Sequence, residues 1–492
     1  MYKKLKNYIF YVIIILLVFG IFYLFNLINV KSENSIENNI QNSNDKQINE
    51  VDIGRADFEL FRQVIAYSYK YFPEDFNLKD KLNKTIEKVE NNLNYLGYNI
   101  NVGSIDSNNL KDFLNEFEVK VNEIYDKIKV QNVDINKTLS NKNLKANQVE
   151  VYSTLNNYLK TYPGYFKFVL NTYCSTLDPY TSYMGPKEYK VFNEGISGGN
   201  FSGIGVAMSA VKDKDGEIII IDVFEDTPAF RAGLKPGDKI VKVDGKEVKN
   251  YSVDTVQSMI RGPKGSEVNL TIRRGKDLLN FKIIRDIIHI KSTKEKIINK
   301  NGVNIGYIRI SSFNKDTSKE FWESYNKLNK PNKIIIDLRN NGGGLLDEAV
   351  NITSYFVPNG KLAVYLKTKN GTEKEYYTKS DNKIDADLVI LVNNYTASAS
   401  EILAQSLKDL KKDTIIIGTP SYGKNSVQTI FSLMDGGVLK LTIAKYFTLS
   451  NRDISKEKVS LDYKVEFNDP NPLDFGSAKD TQLKKAIEVL SN

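Results

Sequence analysis

Cysteine and histidine are almost absent from this chain, with one of each among 492 residues. The single Cys174 excludes an intramolecular disulfide and any metal site built from several cysteines. The single His289 lies in the apolar run 286–290, so we expect a core or strand residue rather than a ligand. No HExxH zinc motif exists, and a Ser-His-Asp triad would have to use His289. The sequence therefore predicts no metal or other cofactor, and a hydrolase of this sequence needs a base other than histidine.

Charge of one sign is not concentrated anywhere in the chain. The formal net charge is +8, which is moderate for this length, and basic runs such as 407–412 include or adjoin acidic residues. These runs are typical of solvated faces, and no RNA-binding or DNA-binding signature is present. Nucleic acid is therefore excluded as a predicted partner.

One long hydrophobic run stands at the N-terminus. Residues Tyr8 to Val30 carry no charge, and three lysines precede them within the first six residues. About 20 apolar residues span a membrane as a helix, and the lysines favour an N-terminus inside. A cleavable signal peptide is the alternative, but no small-x-small site ends the segment. We predict a single-pass, uncleaved transmembrane helix over residues 1–30 in the cell membrane, with the bulk of the chain outside.

A linker and a helical region follow the anchor. Residues 31–52 are rich in Asn, Ser, Gln and charge, which is typical of a flexible linker. Residues 53–192 form a predicted helical region, because apolar residues recur there at helical spacing. Its apolar stripes indicate core, and no constellation suggests chemistry. The stripes include Phe58, Phe61, Val64, Ile65, Leu110, Phe113, Leu114, Phe117 and Val121.

Residues 193–285 indicate a compact β-rich unit. It opens with Gly203-Ile204-Gly205-Val206 and contains the motif Thr227-Pro-Ala-Phe-Arg-Ala-Gly-Leu-Lys-Pro-Gly-Asp238. These residues resemble a PDZ domain of the type found in bacterial proteases. The resemblance implies that backbone N–H groups of 203–206 bind the terminal carboxylate of a peptide, which adds a strand to the sheet edge. A small β barrel with a glycine-rich turn is the alternative.

Residues 286–475 have an α/β pattern, and a C-terminal helix is predicted over 476–492. Apolar strands are followed by the run Asp337-Leu-Arg-Asn-Asn-Gly-Gly-Gly344, whose glycines let backbone N–H groups approach a ligand. No Gly-Lys-Ser/Thr follows, so a phosphate loop is disfavoured. An oxyanion hole is the other use. Ligands gather at the carboxyl ends of strands in such sheets, and Asp337, Ser398 and Lys424 all lie there.

The stretch 395–428 contains the residues with the strongest chemical signal. Ser398 lies at a strand-to-helix turn, and Lys424 follows the next strand. A serine at a helix N-terminus with a buried lysine as base suggests a Ser/Lys hydrolase. However, Ser398-x-x-Glu401 also fits a capping box that only starts a helix. These residues alone leave both interpretations open.

The order of the motifs resembles the C-terminal processing peptidases, also called tail-specific proteases. The resemblance runs from Leu177-Asp-Pro-Tyr-Thr-Ser-Tyr183 to the end of the chain. It implies an α/β multidomain serine protease in which Ser398 is the nucleophile, Lys424 the general base and Gln428 the residue that orients the base. Residues four apart on a strand face the same side, so Lys424 and Gln428 can form one polar unit. The implied oxyanion hole uses Ala399 and one of Gly343 or Gly344.

Two motifs depart from the family pattern. Tyr446-Phe-Thr-Leu-Ser-Asn-Arg452 lacks a proline and a glycine, and the later Gly-Ile-x-Pro-Asp signature survives only as Val459-Ser-Leu-Asp-Tyr463. Neither loss removes a catalytic side chain. Arg261, in a charged loop of the PDZ-like unit, is a hypothetical coupling residue between peptide binding and protease geometry, with an exposed turn arginine as the alternative.

The resulting hypothesis is a membrane-anchored serine endopeptidase, with its catalytic portion extracytoplasmic, that acts on proteins with free C-termini. A non-catalytic scaffold that binds protein C-termini is the main alternative. An esterase is disfavoured because a Gly-x-Ser-x-Gly elbow is absent. Oligomeric state stays open, with a homodimer through the helical region as one option.

Overall fold

The computed structural model describes residues 56–491, except for 108, 141–154, 157, 198–200, 210–212, 214, 225, 252, 290, 372, 468–475 and 478. The predicted anchor, residues 1–30, and the predicted linker, residues 31–52, lie outside the described residues. Among the residues that the structure does describe, no helix combines the length and apolar character needed to cross a membrane.

The helices are numbered in chain order. They are α1 Ala56–Tyr71, α2 Leu78–Tyr95, α3 Leu110–Val130, α4 Ile135–Ser140, α5 Tyr162–Leu177, α6 Pro186–Ile196, α7 Pro228–Ala232, α8 Val253–Ile260, α9 Thr317–Lys327, α10 Leu346–Phe356, α11 Ala399–Leu410, α12 Ile454–Glu457 and α13 Thr481–Ser491.

The strands are numbered in the same way. They are β1 Ser182–Met184, β2 Phe201–Gly203, β3 Val206–Met208, β4 Ile218–Val223, β5 Lys239–Val243, β6 Lys246–Glu247, β7 Glu267–Arg274, β8 Asp277–Ile284, β9 Asp286–Ile288, β10 Thr293–Lys300, β11 Val303–Ile310, β12 Lys333–Asp337, β13 Leu362–Thr368, β14 Glu373–Tyr377, β15 Asp387–Val392, β16 Ile415–Gly418, β17 Ser426–Ser432, β18 Val438–Thr448 and β19 Tyr463–Lys464.

The N-terminal helices share their hydrophobic core with the α/β domain. The predicted apolar stripes of α1 and α3 are buried, and the same cluster continues to strand residues such as Ile308 and Leu441. Strand β1 also comes from this region and pairs antiparallel with β18. The region predicted as helical therefore also supplies a strand, and its packing is not separate from that of the α/β domain.

The β-rich unit between them has a core of its own. Strands β3, β4, β5, β7 and β8 follow one another across its sheet. Ile204, Ile220 and Val256 are among its buried residues, and no residue of the main core belongs to this cluster. Asp238 of the long motif is buried and pairs with the Arg274 guanidinium through two contacts of 2.7 Å. This ion pair therefore links the end of the motif, directly before β5, to the end of β7.

The α/β domain contains a six-stranded sheet in the order β10-β11-β12-β15-β16-β19. From β11 to β19 the strands are parallel, and β10 is antiparallel to β11. Their Ile, Leu and Val runs are buried on both faces, as parallel strands require. One face carries Ile334 and Ile390 into the main core. The other face packs Ile335 and Val389 against Leu483 of α13.

A second sheet, which the sequence analysis does not predict, packs beside the first. Its order is β1-β18-β13-β14, with β17 also paired to β18. The long strand β18 is buried over most of its length and is the common partner of three strands. Because β17 and β1 both lie on β18, this sheet brings the segment after Lys424 next to the segment after α5.

Candidate active site

The candidate site lies where three neighbouring parallel strands end. Strand β12 runs into the glycine loop, residues 338–345; β15 runs into the turn before Ser398; and β16 runs into the segment before Lys424. Because β12, β15 and β16 are adjacent and parallel, their carboxyl ends meet at one edge of the sheet. This is the position at which ligands bind in open α/β sheets.

Ser398 has an unusual backbone conformation, with φ +55° and ψ −117°, immediately before α11. A non-glycine residue in this region is strained, and it persists only where its surroundings fix it. Here the Ser398 carbonyl accepts hydrogen bonds from the Ile402 N–H at 2.8 Å and from the Tyr446 hydroxyl at 3.4 Å. Its side chain is 9% exposed. The turn thus holds a serine hydroxyl at the start of a helix.

Ser400, two residues after Ser398, is placed differently. It is fully buried, and its hydroxyl donates to the Asn341 carbonyl at 3.0 Å. The Ala397 N–H donates to the same carbonyl at 3.0 Å. Ser400 therefore fastens the start of α11 to the glycine loop, whereas Ser398 keeps some exposure.

The Glu401 carboxylate joins the two segments that contain Ser398 and Lys424. Its Oε2 accepts the Ser398 N–H at 2.8 Å and the Lys424 N–H at 2.9 Å. Its Oε1 accepts the Ser421 hydroxyl at 2.6 Å and the Gly423 N–H at 2.7 Å. The backbone nitrogens of Ser398 and Lys424 thus share one acceptor atom. The predicted capping box is present at the start of α11, but the same carboxylate also binds the segment that contains Lys424.

Burial changes the proton affinity of this carboxylate. Glu401 is fully buried, and burial raises the pKa of its carboxyl to about 7, while the hydrogen bonds from its four donors act in the opposite direction. A buried carboxylate needs hydrogen-bond partners, and these donors satisfy both of its oxygens.

The Lys424 amine is buried among uncharged partners. Its side chain is 2% exposed, its Nζ donates to Gln428 Oε1 at 2.6 Å, and it lies 4.6 Å from the centre of the Tyr180 ring. Burial, and next the positive charge of Lys440, hold the pKa of Lys424 well below its usual range, against the opposing effect of Asp178 and Glu401. A larger fraction of this amine is therefore neutral near pH 7 than in an exposed lysine.

Gln428 fixes the position of that amine. Its Nε2 donates to the hydroxyls of Ser426 and Thr442, both at 3.0 Å, so its Oε1 is turned toward Lys424. The two residues meet, but not by regular strand alternation. Lys424 precedes β17, and the register of β17 shifts between Val427 and Gln428.

The glycine loop places backbone N–H groups beside the Ser398 turn. The Gly343 N–H donates to Asn341 Oδ1 at 2.8 Å, so it is already bound. Gly344 has φ +143°, and a Cβ there would lie 2.0 Å from the Phe313 carbonyl oxygen, so only glycine fits. The Ala399 N–H is the first of α11, a position at which helical N–H groups lack an intrahelical acceptor. Ala399 and Gly344 are thus the better-placed pair of the three predicted donors.

The buried Arg339 holds the start of the glycine loop in place by binding two carboxylates. The Arg339 guanidinium makes two hydrogen bonds to Asp337, of 2.9 and 2.6 Å, and two to Asp480, of 2.8 and 2.7 Å. Burial would raise the pKa of Asp337, but Arg339 overrides it and lowers this pKa to about 2. Asp480 precedes α13, so the loop is tied to an element far along the chain.

The predicted peptide-binding segment lies at the edge of the β-rich unit. Ile204 is buried, and its carbonyl accepts the Ala229 N–H at 2.8 Å, so its side chain belongs to the core. The Gly205 carbonyl accepts the Phe224 N–H at 3.0 Å, and a Cβ at Gly205 would meet Thr227. Gly203 ends β2 and Val206 begins β3, which pairs only with β4 in the described part of the chain. One edge of β3 is therefore open to an added strand.

Arg261 contacts helix α6, which contributes no residue to the sheet or the core of the β-rich unit. Its Nη1 lies 3.1 Å from Glu194 Oε2 on α6. Phe192 of the same helix packs with Leu345, which directly follows Gly344. The predicted coupling residue thus contacts a helix that also packs against the glycine loop.

Several residues of the site were not singled out from the sequence. Tyr180 and Asp178 fall within the motif 177–183, which was quoted only for the resemblance, and Glu401 was read as a helix cap. Lys440 gave no sequence signal. His289 was expected to be a core or strand residue, but it directly follows β9 and is exposed, and its Nε2 lies 2.6 Å from Glu320 Oε1. Elsewhere in the described ranges, no group of three His, Cys, Asp or Glu side chains is arranged to hold a metal ion.

Comparison with known proteins gives two matches to family models. The model of peptidase family S41 matches residues 304–465, and that of the PDZ domain matches residues 202–284. The first match contains the glycine loop, Ser398 and Lys424, and the second contains the 203–206 segment.

Two curated proteins illustrate the sequence similarity. The chain is 36% identical over 307 residues to the carboxy-terminal processing protease CtpA of Bacillus subtilis, which covers 62% of this chain and 64% of the relative. It is 37% identical over 325 residues to a probable CtpA-like serine protease of Staphylococcus aureus, with 63% of each covered. The chain thus matches slightly less than two thirds of the length of these relatives.

Solved structures give a looser likeness. A photosystem II D1 C-terminal processing protease is 22% identical, with a TM-score of 0.45, over 89% of this chain and 98% of the other. Because this TM-score is low, the likeness adds nothing to the description of the fold given above.

We predict that Glu401→Gln destabilises the α/β domain by about 2–5 kcal/mol at pH 8. The glutamine NH₂ would face two of the present donors and leave at least one backbone N–H without an acceptor. Denaturant unfolding followed by fluorescence of Trp322, the single tryptophan and a residue of α9, measures this change.

Glu348→Gln is the matched control. Glu348 is also buried, but only the Ser318 N–H, at 2.6 Å, binds it closely from the backbone, and the glutamine oxygen can keep that bond. We expect a loss below about 1 kcal/mol. Equal losses in the two variants would contradict the special place of Glu401.

Proposed function

We propose that this chain is a serine endopeptidase that uses a Ser398–Lys424 dyad, and its matches to the models of peptidase family S41 and of the PDZ domain and to the carboxy-terminal processing protease CtpA support this proposal. The observation that supports this most directly is the shared acceptor. One oxygen of Glu401 binds the backbone N–H of both the nucleophile and the base. The lysine amine is at the same time buried and bound to Gln428.

In this mechanism the neutral Lys424 amine accepts the proton of the Ser398 hydroxyl. The Ser398 Oγ attacks the carbonyl carbon of a peptide bond, and the amine side of the bond leaves with the proton that Lys424 took from Ser398. The Lys424 amine, neutral again, then takes a proton from water, which attacks the acyl-enzyme, and returns that proton to the Ser398 Oγ as the new C-terminus leaves. The negative oxygen of each tetrahedral intermediate binds the N–H groups of Ala399 and Gly344, because the Gly343 N–H is already given to Asn341. Gln428 keeps the Lys424 amine in position while the charge of the amine changes.

Substrates would be proteins whose free C-termini bind the PDZ domain. The open edge of β3 and the Gly205 turn support this part of the proposal. The peptide backbone would pair with β3, and the terminal carboxylate would bind N–H groups of the 203–206 segment.

We expect Ser398→Ala and Lys424→Ala each to lower the cleavage of an unstructured protein by roughly a thousandfold or more, because each removes a group that takes part in the transition state. Ser400→Ala is the matched control. Its hydroxyl is bound to Asn341 and should be dispensable for the chemistry. Trp322 fluorescence reports whether each variant is folded.

Cleavage that persists in Ser398→Ala but stops in Ser400→Ala would reassign the nucleophile. No cleavage by any form, even with C-terminal peptides added, would favour the scaffold alternative.

The position of Arg261 supports a role in coupling the two domains. Arg261 binds Glu194, and α6 packs through Phe192 against Leu345 beside the proposed oxyanion donor. The Arg285 guanidinium donates a hydrogen bond of 2.8 Å to the carbonyl of Ile260, the residue before Arg261. This bond limits the movement of the loop that contains Arg261. A change in the PDZ domain on peptide binding would therefore reach Gly344 through one helix.

Arg261→Ala should remove most of the stimulation of cleavage by added C-terminal peptides while basal cleavage remains. Lys264→Ala, in the same loop but bound to Asp286 instead of to α6, is the control and should keep the stimulation. The measurement is the ratio of cleavage rates with and without peptide. An unchanged ratio in Arg261→Ala would remove the coupling role.

We further propose that the uncharged run Tyr8–Val30 anchors the enzyme in the cell membrane with its catalytic part outside the cytoplasm. The lysines before the run and the lack of a cleavage site after it support this. The full chain should sediment with membranes and resist carbonate extraction, and the chain from residue 53 should not. Equal solubility of the two would contradict an anchor.

A further inference from the structure

A second buried lysine, Lys440, has no part in the mechanism given above. It lies on β18, is 2% exposed, and pairs across the sheet with Ser182 of β1 and Ile430 of β17. Burying an ammonium group is costly, so a lysine at such a position calls for an explanation.

The fold brings this lysine close to the proposed base. Thr442 lies two residues after Lys440 on the same strand, so the two side chains share a face of the sheet. Thr442 accepts a hydrogen bond from Gln428, which in turn binds the Lys424 amine. About 7 Å of strand separates the Cα atoms of Lys440 and Thr442.

The loop after α5 packs against both lysines. Tyr180 places its ring 4.6 Å from the Lys424 Nζ, and Ser182, two residues later, pairs with Lys440. Asp178, at the start of this loop, accepts the N–H groups of Tyr180 and Thr181, both at 2.7 Å.

The titratable and charged groups that face the two amines come from α5, the loop after it and α11. They are Cys174, Asp178, Tyr180 and Glu401. Two ammonium groups in one buried cluster repel each other, so their titrations are coupled and one is charged at the expense of the other.

We propose that Lys440 is a positioning residue for the proton of the catalytic pair: it holds the positive charge of the buried cluster and so keeps Lys424 neutral and able to accept the proton of Ser398. This inference rests on the proposed Ser398–Lys424 dyad. It assigns no contact between Lys440 and the substrate.

The directions of the pKa shifts agree with a charged Lys440 and a neutral Lys424. Burial lowers the pKa of Lys440 to about 8, against Asp178 and Cys174, which favour its charged form. Burial first, and then the charge of Lys440, hold the pKa of Lys424 well below its usual value. Near pH 7 the charge therefore lies on Lys440.

The test is the pH dependence of kcat/KM for the full chain with Lys440→Met, Lys440→Arg and Lys445→Met. The neutral lysine is the active form, so activity rises with pH through the pKa of Lys424. Removing the neighbouring charge raises this pKa, and we expect the rising limb of Lys440→Met to move up by about one pH unit. At pH values below the rising limb, the kcat/KM of Lys440→Met is then roughly tenfold lower than that of the unsubstituted chain. Lys440→Arg keeps the charge and should keep the limb in place.

Lys445→Met is the matched control, because Lys445 lies on the same strand but is exposed and binds Glu74. Its limb should not move. A folded Lys440→Met whose rate falls at all pH values, with the limb unmoved, would overturn the inference, as would an equal shift in Lys440→Arg. Full activity of Lys424→Ala would instead reject the dyad itself, so the two failures are distinguishable.

A measurement on the unsubstituted chain covers the case in which Lys440→Met does not fold. NMR of ¹³Cε-labelled lysine between about pH 5 and about pH 10 follows the two buried amines directly. We expect one to be neutral at pH 7 and the other charged, with Lys440→Arg removing the charged signal. Removal of the neutral signal by Lys440→Arg, or the same charge on both amines at pH 7, would overturn the assignment.

Discussion

The arrangement of the site depends on one buried carboxylate. Glu401 binds donors from its own helix turn and from a segment 23 residues further on, and each of its oxygens takes two of them. A carboxylate removed from water must be satisfied by such donors. In satisfying it, the chain fixes the backbone of Ser398 in a strained conformation and brings the Lys424 segment to the same point.

The second requirement of the site is a buried place for the lysine amine, and the parallel sheet alone does not provide it. Strands β17 and β18 supply Gln428 and Thr442, and the loop between α5 and β1 supplies Tyr180. The N-terminal helices belong to the same core as the strands beside the site. A region that looks like an accessory domain in the sequence is therefore part of the surroundings of the base.

Residues with a local signal were predictable from the sequence. The runs that became β12, β15 and β16 are apolar throughout because both faces are buried, and their ends marked the site. Family motifs added the identities of Ser398, Lys424 and Gln428 as candidates. The peptide-binding segment was predicted from its glycines, although Ile204 turned out to be a core residue.

The residues that were missed depend on contacts between distant segments. Glu401 has the spacing of a helix cap, and nothing local indicates that Ser421, Gly423 and Lys424 will bind it. The second sheet combines strands far apart in the chain, so neither it nor the burial of Lys440 has a local pattern. His289 was misplaced for the opposite reason. Its neighbours are apolar, but its own side chain points outward to Glu320.

The link between Arg339 and Asp480 has a consequence for biosynthesis. These residues are 141 positions apart, and the arginine that supports the glycine loop finds its second carboxylate only when residue 480 has been made. A growing chain already contains Ser398 and Lys424 well before that point, but its glycine loop still lacks the bonds between Arg339 and Asp480. We therefore expect the glycine loop to reach its final arrangement only after residue 480 has been synthesised.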